Sequence, residues 1–290
     1  MRLYCFLNGE IIPAEQAEVS IFDRGIFYGD GLFETVRVYK GKPFLIDNHL
    51  QRLIRGAITL GLKVPGKKIN LLRAVEKIID TNSLHEGALR LTLTRGLSER
   101  GLWPCSKFGA STFFITPHDG IPYAPEQYRK GFRGALISFP LNEYSPLSGL
   151  KTLNYLDHIL GRREALNRGY DEGIFLNQKR YLAEGTVSNL FLVKGRTVYT
   201  PPIEAGILPG ITRALVIRLA RKKFKVHEQN ISPLFLKEAD EAFLTNSLLE
   251  IMPLVEIEEK PIGEGGPGPV TADLQQLYQE FLKKNLCGSI

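Results

Sequence analysis

Cysteine and histidine are both scarce in this chain. The three cysteines, Cys5, Cys105 and Cys287, are odd in number and far apart, and no Cys-x-x-Cys pair occurs. This favours neither a disulfide framework nor a structural zinc site, and it is typical of a reducing cytoplasm. The five histidines are dispersed, without the spacing of metal ligands or any support for a Ser/His/Asp triad. We therefore expect a cytoplasmic protein without disulfides or metal sites and without a Ser/His/Asp triad.

Long apolar runs are also missing. No uninterrupted run reaches the roughly 20 residues that span a bilayer. The first ten residues hold too short an apolar stretch for a signal peptide. A content of 43% hydrophobic and 23% charged residues is ordinary for a soluble globular protein with a large core. We expect one or two domains and no membrane segment.

The net charge of +6 is modestly basic and suits anionic small ligands as well as nucleic acid. Lysine and arginine are scattered, and the densest runs, 221–225 and 66–68, are typical of solvated helix faces or ends. No recognition module that combines aromatic and basic residues is present. The prediction is therefore no nucleic-acid partner. A basic, non-enzymatic binding protein remains an alternative, which predicts salt-sensitive binding and no cofactor.

Periodicity predicts both helices and strands in the first part of the chain. Asn8-Gly9 indicates a hairpin turn. Strict alternation from Phe33 onward places Glu34 on the opposite face of a strand from Phe33. Residues 43–46 predict the start of a further strand, and Asp47 the N-cap of an amphipathic helix.

One lysine, Lys151, has no charged neighbour between Glu143 and Asp157. Burial in such an apolar stretch disfavours the ammonium form, lowers the pKa of the lysine and leaves an amine that can form a Schiff base with a carbonyl. A lysine that extends from a helix start into water gives the same local pattern. The residues that follow predict a helix with an apolar face at Leu153, Leu156, Ile159 and Leu160.

Other segments supply groups that complement this lysine. Glu184 ends a strand, and the Gly-bearing loop 206–213 opens a helix at Ile211 and Thr212, an arrangement suited to phosphate. Arg52 can point toward an anion, and Asn246-Ser247 offers small polar groups at another strand end. Together they suit an aldehyde cofactor with a phosphate tail and a basic ring nitrogen, which is the description of pyridoxal 5'-phosphate.

The chain resembles the fold-type IV pyridoxal-phosphate enzymes, the class IV aminotransferases, from Asn8 to Leu254. This family includes branched-chain and D-amino acid aminotransferases and 4-amino-4-deoxychorismate lyase. The segments that carry the resemblance follow one another in the expected order: Tyr28–Thr35, His49–Leu53, Gly149–Asn154, Ala183–Phe191, Gly206–Arg213 and Leu244–Ile251.

The resemblance implies a two-domain α/β (α+β) fold. A small N-terminal α/β domain would span residues 1–118 and a linker residues 119–126. A larger, strand-rich C-terminal domain, residues 127–290, would carry the lysine, with the cofactor between the two domains. The resemblance further implies a homodimer or a larger homo-oligomer.

The resemblance also assigns roles to residues. Lys151 would be the catalytic Schiff-base lysine and the proton shuttle, and Glu184 would pair with the pyridine nitrogen. The phosphate ligands would be Arg52, Ile211, Thr212 and Ser247. Leu208 would pack under the ring, and Tyr155 would reach the phenolic oxygen. The remaining cofactor-binding residues would be Ser188, Asn189 and Asn246, and the substrate-binding residues Tyr28, Phe33, Thr35, Arg37 and Arg100.

The family pattern leaves two reactions open. Arg37 matches branched-chain aminotransferases and the lyase, whereas Arg100 matches a carboxylate-binding arginine of D-amino acid enzymes, although Leu102 replaces the histidine expected beside it. Thr35, the Arg-Gly-x-x-x-Arg-Gly loop at 95–101 and Asn246 favour the lyase. The segment 206–213 favours the aminotransferases, whereas Val187-Ser188-Asn189 replaces the Glu-Asn pair of branched-chain enzymes.

We place first a ping-pong aminotransferase acting on an amino acid and a 2-oxo acid, because its half-reactions need only the shared machinery. A lyase that releases 4-aminobenzoate and pyruvate is the alternative.

Overall fold

Two units make up the chain, which the computed structural model describes over residues 2–97, 101–102, 109–120 and 123–287. Unit 1 comprises Met1–Ile121 and Leu150–Asn154, and unit 2 comprises Pro122–Gly149 and Tyr155–Ile290. Within the described ranges, no helix has the length and apolar character needed to cross a membrane.

Unit 1 is built on a six-stranded antiparallel sheet, in which the strands follow the order β2-β1-β6-β5-β3-β4. Its elements are β1 (Tyr4–Leu7), β2 (Glu10–Pro13), α1 (Arg24–Tyr28), β3 (Gly31–Tyr39), β4 (Lys42–Pro43), α2 (Ile46–Leu60), α3 (Lys68–Thr81), β5 (Glu86–Thr94) and β6 (Phe113–Asp119). The hairpin predicted at Asn8-Gly9 is confirmed, since it joins β1 to β2.

The core of unit 1 lies between this sheet and the helices α2 and α3. Val36 and Val38 from β3 are fully buried with Leu50 from α2 and Val75 and Ile78 from α3. One face of β3 therefore packs against helices, as alternation requires. Glu34 belongs to this helix-facing set and is also buried.

The entry into α2 differs from the sequence-based prediction. Residues 43–46 do not start a new strand, because β4 ends at Pro43 and Leu45 turns the chain with a left-handed φ of 51°. Leu45 is the N-cap, so Asp47 lies in the first turn of the helix rather than at its cap. There its negative charge is favourable beside the exposed N–H groups, and it pairs with Lys68.

Residues 150–154 group with unit 1 because their backbone pairs with β3. Phe33 N donates to the Lys151 carbonyl at 2.9 Å, and Leu153 N donates to the Gly31 carbonyl at 2.9 Å. The sequence-based division had placed Lys151 in the C-terminal domain. In the structure its carbonyl accepts a hydrogen bond from Phe33, near the start of β3.

Unit 2 holds a nine-stranded sheet. Its path is β12-β11-β10-β13-β14-β7-β8-β9, with β15 paired to β14. Its elements are α4 (Pro125–Lys130), β7 (Phe132–Leu136), α5 (Leu156–Asn167), β8 (Glu172–Leu176), β9 (Leu182–Gly185), β10 (Asn189–Lys194), β11 (Thr197–Thr200), α6 (Ile211–Ala220), β12 (Lys225–Glu228), β13 (Glu241–Asn246), β14 (Glu250–Ile257), β15 (Lys260–Pro261) and α7 (Pro269–Cys287).

An additional pairing closes part of this sheet on itself. β9 pairs with β10 through Glu184 and Asn189, so β10, β13, β14, β7, β8 and β9 form a closed ring. The strands that form the ring bury leucine and isoleucine side chains, among them Ile174, Leu190 and Leu244. Closure removes the unpaired edges that these strands would otherwise expose.

The apolar face predicted for α5 is not buried in the chain. Leu156 is 71% exposed, Ile159 57% and Leu160 41%. The face that α5 turns inward consists of small residues, Gly161 and Ala165. A Cβ on Gly161 would overlap the ring of Phe175, so the close approach of helix and strand requires glycine there.

The buried carboxylate of Glu241, in β13, caps the N-terminus of the last helix, α7. Its two oxygens accept hydrogen bonds from Val270 N at 2.8 Å and Thr271 N at 2.7 Å, the first N–H groups of α7. These groups have no partner within the helix, so the carboxylate satisfies them and complements the helix dipole. Gly268 lies so close that a Cβ there would overlap the Glu241 side chain.

We predict that Gly268→Ala displaces Glu241 from its cap and lowers the free energy of unfolding by about 1–3 kcal/mol. Gly266→Ala is the matched control, because a Cβ at Gly266 meets nothing within 4 Å, and its effect should stay within about 0.5 kcal/mol. Urea unfolding followed by circular dichroism measures both variants. Equal stabilities of the two would contradict this account of the cap.

Candidate functional site

Candidate residues occur in both units, and in unit 1 they gather along β3. Phe33 is buried, and the amine of Lys151 lies 4.3 Å from the centre of its ring. A cation over an aromatic face is attracted by the ring's quadrupole. The backbone pairing of residues 150–154 with β3 and this contact together fix where the amine points.

A second cation, Arg90, contacts the same ring. Its guanidinium carbon lies 3.8 Å from the centre of Phe33, and Arg90 stands directly opposite the half-buried Thr35 in the β3–β5 ladder. Arg90 is not among the site residues predicted from the sequence. The alternation of residues 88–95 contained the signal, because residues that face one another across a ladder point to the same side of the sheet.

The other face of β3 carries a buried ion cluster. Glu34 is 1% exposed and accepts hydrogen bonds from Arg52 Nε at 2.8 Å and from Arg52 Nη2 at 2.7 Å. His49 Nδ1 lies 2.7 Å from the same carboxylate. Arg52, predicted to bind phosphate, is thus joined to a strand residue that lies 18 positions earlier in the chain.

Charge in this cluster is set by burial and by pairing. Burial acts to raise the pKa of the Glu34 carboxyl, but the charge and hydrogen bonds of Arg52, together with His49, lower that pKa from its ordinary 4.5 to about 2. The pKa of His49 is lowered, because burial disfavours its charged form more than Glu34 favours it. An ionised carboxylate only accepts, so Nδ1 of the neutral imidazole carries the proton that it donates to Glu34.

The remaining unit 1 candidates have different surroundings. Arg37 is buried and donates to Glu86 at 2.8 Å and to the carbonyls of Val38 and Gly87. These bonds hold the guanidinium of Arg37 against β3 and β5. Tyr28 ends α1 and lies beneath the guanidinium of Arg24. Arg100 lies outside the described residues.

In unit 2, Glu184 is held at the point where the strand ring closes. Its Oε2 atom accepts from Asn189 Nδ2 at 3.0 Å and from Leu208 N at 3.0 Å. Asn189 Nδ2 also donates to the Leu208 carbonyl at 2.9 Å. Oε1 lies 3.8 Å from His158 Nε2, beyond hydrogen-bonding distance. One carboxylate oxygen is therefore anchored, which fixes the direction of the other.

The loop that leads into α6 approaches this carboxylate closely. A Cβ on its N-cap, Gly210, would overlap Asn189 Oδ1. Ile211 and Thr212 form the first turn of α6, where backbone N–H groups have no partner inside the helix. Thr212 is buried, and Leu208 is half-buried. The first turn of α6 can therefore offer backbone donors to an anion.

Three further polar candidates of unit 2 are Ser188, Asn246 and Ser247. Ser188 Oγ donates to the fully buried Glu172 at 3.0 Å. Asn246 Nδ2 donates to the Val187 carbonyl at 2.9 Å, and Asn246 Oδ1 accepts from Leu248 N and Leu249 N. The amide of Asn246 thus fixes the turn between β13 and β14. Ser247 lies half-buried in that turn.

Tyr155 precedes α5 and stacks on His158, with ring centres 4.4 Å apart. The edge of His158 meets Phe175, with ring centres 5.5 Å apart. The dispersed histidines of the sequence give no support to metal or triad chemistry. Their spacing could not identify a histidine that contacts Tyr155 on one side and approaches Glu184 on another.

The pKa of Glu34 generates a prediction for stability. The pKa of the Glu34 carboxyl is about 2 in the folded chain. Its contribution to the free energy of unfolding is therefore complete above about pH 4.5 and is lost as the pH falls toward 2. Between pH 6 and pH 3, the wild type should lose on the order of 2 kcal/mol more unfolding free energy than Glu34→Gln.

Urea unfolding at a series of pH values measures this difference. Glu264→Gln, at an exposed position of unit 2, is the control and should follow the wild-type curve. Parallel curves for the wild type and Glu34→Gln would show that Glu34 does not titrate as its surroundings require.

Comparison with known proteins identifies the family of the chain. The profile of the family described as amino-transferase class IV matches residues 31–257. The chain is 35% identical to a putative branched-chain-amino-acid aminotransferase of Methanocaldococcus jannaschii, over 98% of this chain and 97% of that protein. It is 34% identical to the aminodeoxychorismate lyase of Bacillus subtilis, over 96% of this chain and 94% of that protein.

Solved structures give the same result. The branched-chain amino acid aminotransferase of Escherichia coli superposes with a TM-score of 0.91 at 31% identity, covering 95% of this chain and 93% of that one. The T.th. branched-chain amino acid aminotransferase, solved with pyridoxamine 5'-phosphate, superposes with a TM-score of 0.90 at 29% identity, covering 97% and 94%. The resemblance and the fold class are confirmed: the chain belongs to the class IV aminotransferases, the pyridoxal-phosphate enzymes of fold type IV.

Proposed function

We propose that the chain is a pyridoxal-phosphate-dependent aminotransferase that moves an amino group between an amino acid and a 2-oxo acid by a ping-pong mechanism. One observation carries this proposal: the amine of Lys151 and the guanidinium of Arg90 contact the same ring, that of Phe33. An amine supplies the nucleophile and the proton shuttle. A guanidinium over the same ring suits a substrate that bears a carboxylate.

The donor set fits the cofactor. We propose that Lys151 binds its aldehyde and that Glu184 accepts from its pyridine N–H through Oε1, the oxygen that Asn189 and Leu208 leave unengaged. The phosphate would be held by Ser247, by Arg52 and by the N–H groups of Ile211 and Thr212. Leu208 would pack against the ring, and Tyr155 would meet the phenolic oxygen.

Bound at these residues, the cofactor supplies a sink for the electrons of a carbanion at the substrate Cα. The protein residues manage the protons. Lys151 Nζ would take the proton from the substrate Cα and deliver it to the cofactor carbon, while the Glu184 carboxylate would accept a hydrogen bond from the ring N–H. Arg90 would orient the substrate by its carboxylate, so that the Cα–H bond faces the amine.

The lyase is the second candidate, supported by the Bacillus subtilis relative and by Thr35, which is half-buried opposite Arg90. Two other residues that favour the lyase, Asn246 and Arg95, already bond to other residues of the chain. The amide of Asn246 is used in a turn. Arg95 donates to Asp30 and to the carbonyls of Leu60 and Gly61. We therefore favour amino transfer.

The test offers purified holoenzyme L- and D-amino acids with 2-oxoglutarate in one assay and 4-amino-4-deoxychorismate in another. We expect amino transfer without 4-aminobenzoate. Rapid release of 4-aminobenzoate and pyruvate with slow transfer would overturn the choice in favour of the lyase. No reaction in either assay and no visible absorbance of bound cofactor would contradict both.

Lys151→Ala supplies the residue-level control. We expect it to lose the visible absorbance and at least about 10²-fold in rate, the lower range for a proton-transfer group. Lys179→Ala is its matched control, because Lys179 also lies over an aromatic ring, that of Tyr144, at 5.2 Å. Unchanged absorbance in Lys151→Ala would contradict the assignment.

We also propose a homodimer or larger oligomer, as the family resemblance implies. In unit 1 an apolar surface around α1 supports this: Ile21 is 71% exposed, Phe22 55%, Ile26 60% and Phe27 57%. Phe22 and Phe27 stack with ring centres 6.2 Å apart, which leaves a contiguous apolar patch. Such patches mark association surfaces.

Sedimentation should give at least twice the chain mass of 32.5 kDa. Phe27→Ser should raise the monomer fraction at a given concentration, because it places a hydroxyl in an apolar contact. Ile58→Ser, at an exposed apolar residue on α2, is the control and should not. A monomeric wild type would contradict the proposal.

A further inference from the structure

We propose that Glu34 is a positioning residue for the phosphate-binding arginine: it holds Arg52 in the orientation that receives the phosphate, and His49 in turn orients Glu34. This inference rests on the proposed function, since it assumes that Arg52 meets the cofactor's phosphate. It goes beyond that function by assigning tasks to two residues that would not touch the cofactor.

The geometry of the pair carries the argument. Nε and Nη2 of Arg52 donate to Oε1 and Oε2 of Glu34, at 2.8 and 2.7 Å. Two parallel bonds from the edge of a guanidinium fix its plane as well as its position. The guanidinium as a whole is therefore held in one orientation instead of sampling the many rotamers of a long side chain.

Glu34 is itself held on several sides. Its backbone lies within β3, its side chain is 1% exposed, and His49 Nδ1 contacts Oε2 at 2.7 Å. His49 and Arg52 lie one turn apart on α2, so both partners come from the same helix face. The carboxylate thus has little freedom to rotate. Because Arg52 donates two hydrogen bonds to it, the guanidinium also has little freedom to rotate.

Rigidity of this kind has a thermodynamic consequence. A mobile arginine must lose side-chain entropy when it binds an anion, whereas an arginine already held by a carboxylate has lost that entropy on folding. The pair also keeps a largely buried guanidinium compensated before any anion arrives. Removal of Glu34 should therefore weaken recognition of the phosphate while leaving recognition of the rest of the cofactor intact.

Pyridoxal, which has the same ring and aldehyde but no phosphate, separates this role from a general effect on the fold. The dissociation constants of pyridoxal 5'-phosphate and of pyridoxal are measured by visible absorbance for the wild type and for Glu34→Gln. We expect Glu34→Gln to weaken binding of the phosphorylated form by about tenfold or more and to change binding of pyridoxal by less than about twofold.

Glu258→Gln is the matched control. Glu258 accepts from Arg168 Nη2 through both carboxylate oxygens, at 2.7 and 2.6 Å, within unit 2. It should leave the ratio of the two constants unchanged. A ratio in Glu34→Gln that equals the wild-type ratio would overturn the proposal, whether both constants rise together or neither moves.

Added inorganic phosphite provides a second readout. In the wild type, phosphite should occupy the phosphate position and strengthen pyridoxal binding, and in Glu34→Gln this gain should disappear. A wild type that binds neither the phosphorylated cofactor nor pyridoxal would instead contradict the proposed function, which keeps the two failures distinct.

The part played by His49 is tested in the same assay, which also serves if Glu34→Gln does not fold. His49→Leu removes the donor and should reduce the preference for the phosphorylated form several-fold. His49→Asn places an amide N–H where Nδ1–H stood and should restore that preference. Full preference in His49→Leu would overturn the proposed chain from His49 through Glu34 to Arg52.

Discussion

The contact between Glu184 and Asn189 is the one on which unit 2 most depends. These residues form the strand pair that closes the ring, and their side chains also bond, at 3.0 Å. The acid assigned to the pyridine nitrogen is therefore placed by the same interaction that completes the sheet. The Asn189 amide also donates to Leu208, which connects that acid to the loop entering α6.

Unit 1 places its residues by a simpler rule, the alternation of side chains along β3. One face carries Phe33, which meets the cations of Lys151 and Arg90. The next residue turns to the helix face, where Glu34 binds Arg52. A shift of one residue in the register of β3 would exchange these faces, so that the aromatic ring would face the helices and the carboxylate would face the opposite side of the sheet.

Local patterns in the sequence predict much of this arrangement. The alternation along β3, the hairpin at Asn8-Gly9 and the helix that follows the Gly206 loop can all be read from short segments. The absence of charged neighbours around Lys151 can also be read from the sequence. The backbone pairing of Lys151 with β3 cannot. The features that can be read are determined by residues close together in the chain, and hydrophobic periodicity reveals such local structure.

Contacts between distant segments could not be predicted in this way. Asn246 is a small polar residue of a kind that can donate to an anion, and in the structure its amide bonds to Val187 and Leu248 and fixes a turn. Arg37 has the charge of a substrate ligand, yet Glu86 pairs with it. In each case the residue type suits two roles, and the sequence alone does not reveal the distant partner that the structure shows.

The path of residues 150–154 limits how the protein can be divided. Their backbone pairs with β3 of unit 1, while the chain before and after them belongs to unit 2. A fragment that stops at residue 121 keeps β3 but lacks Lys151. A fragment that begins at residue 122 keeps Lys151 but lacks the strand that orders it. Recombination between relatives therefore cannot exchange either unit as a self-contained cassette, because the lysine and its support would come from different parents.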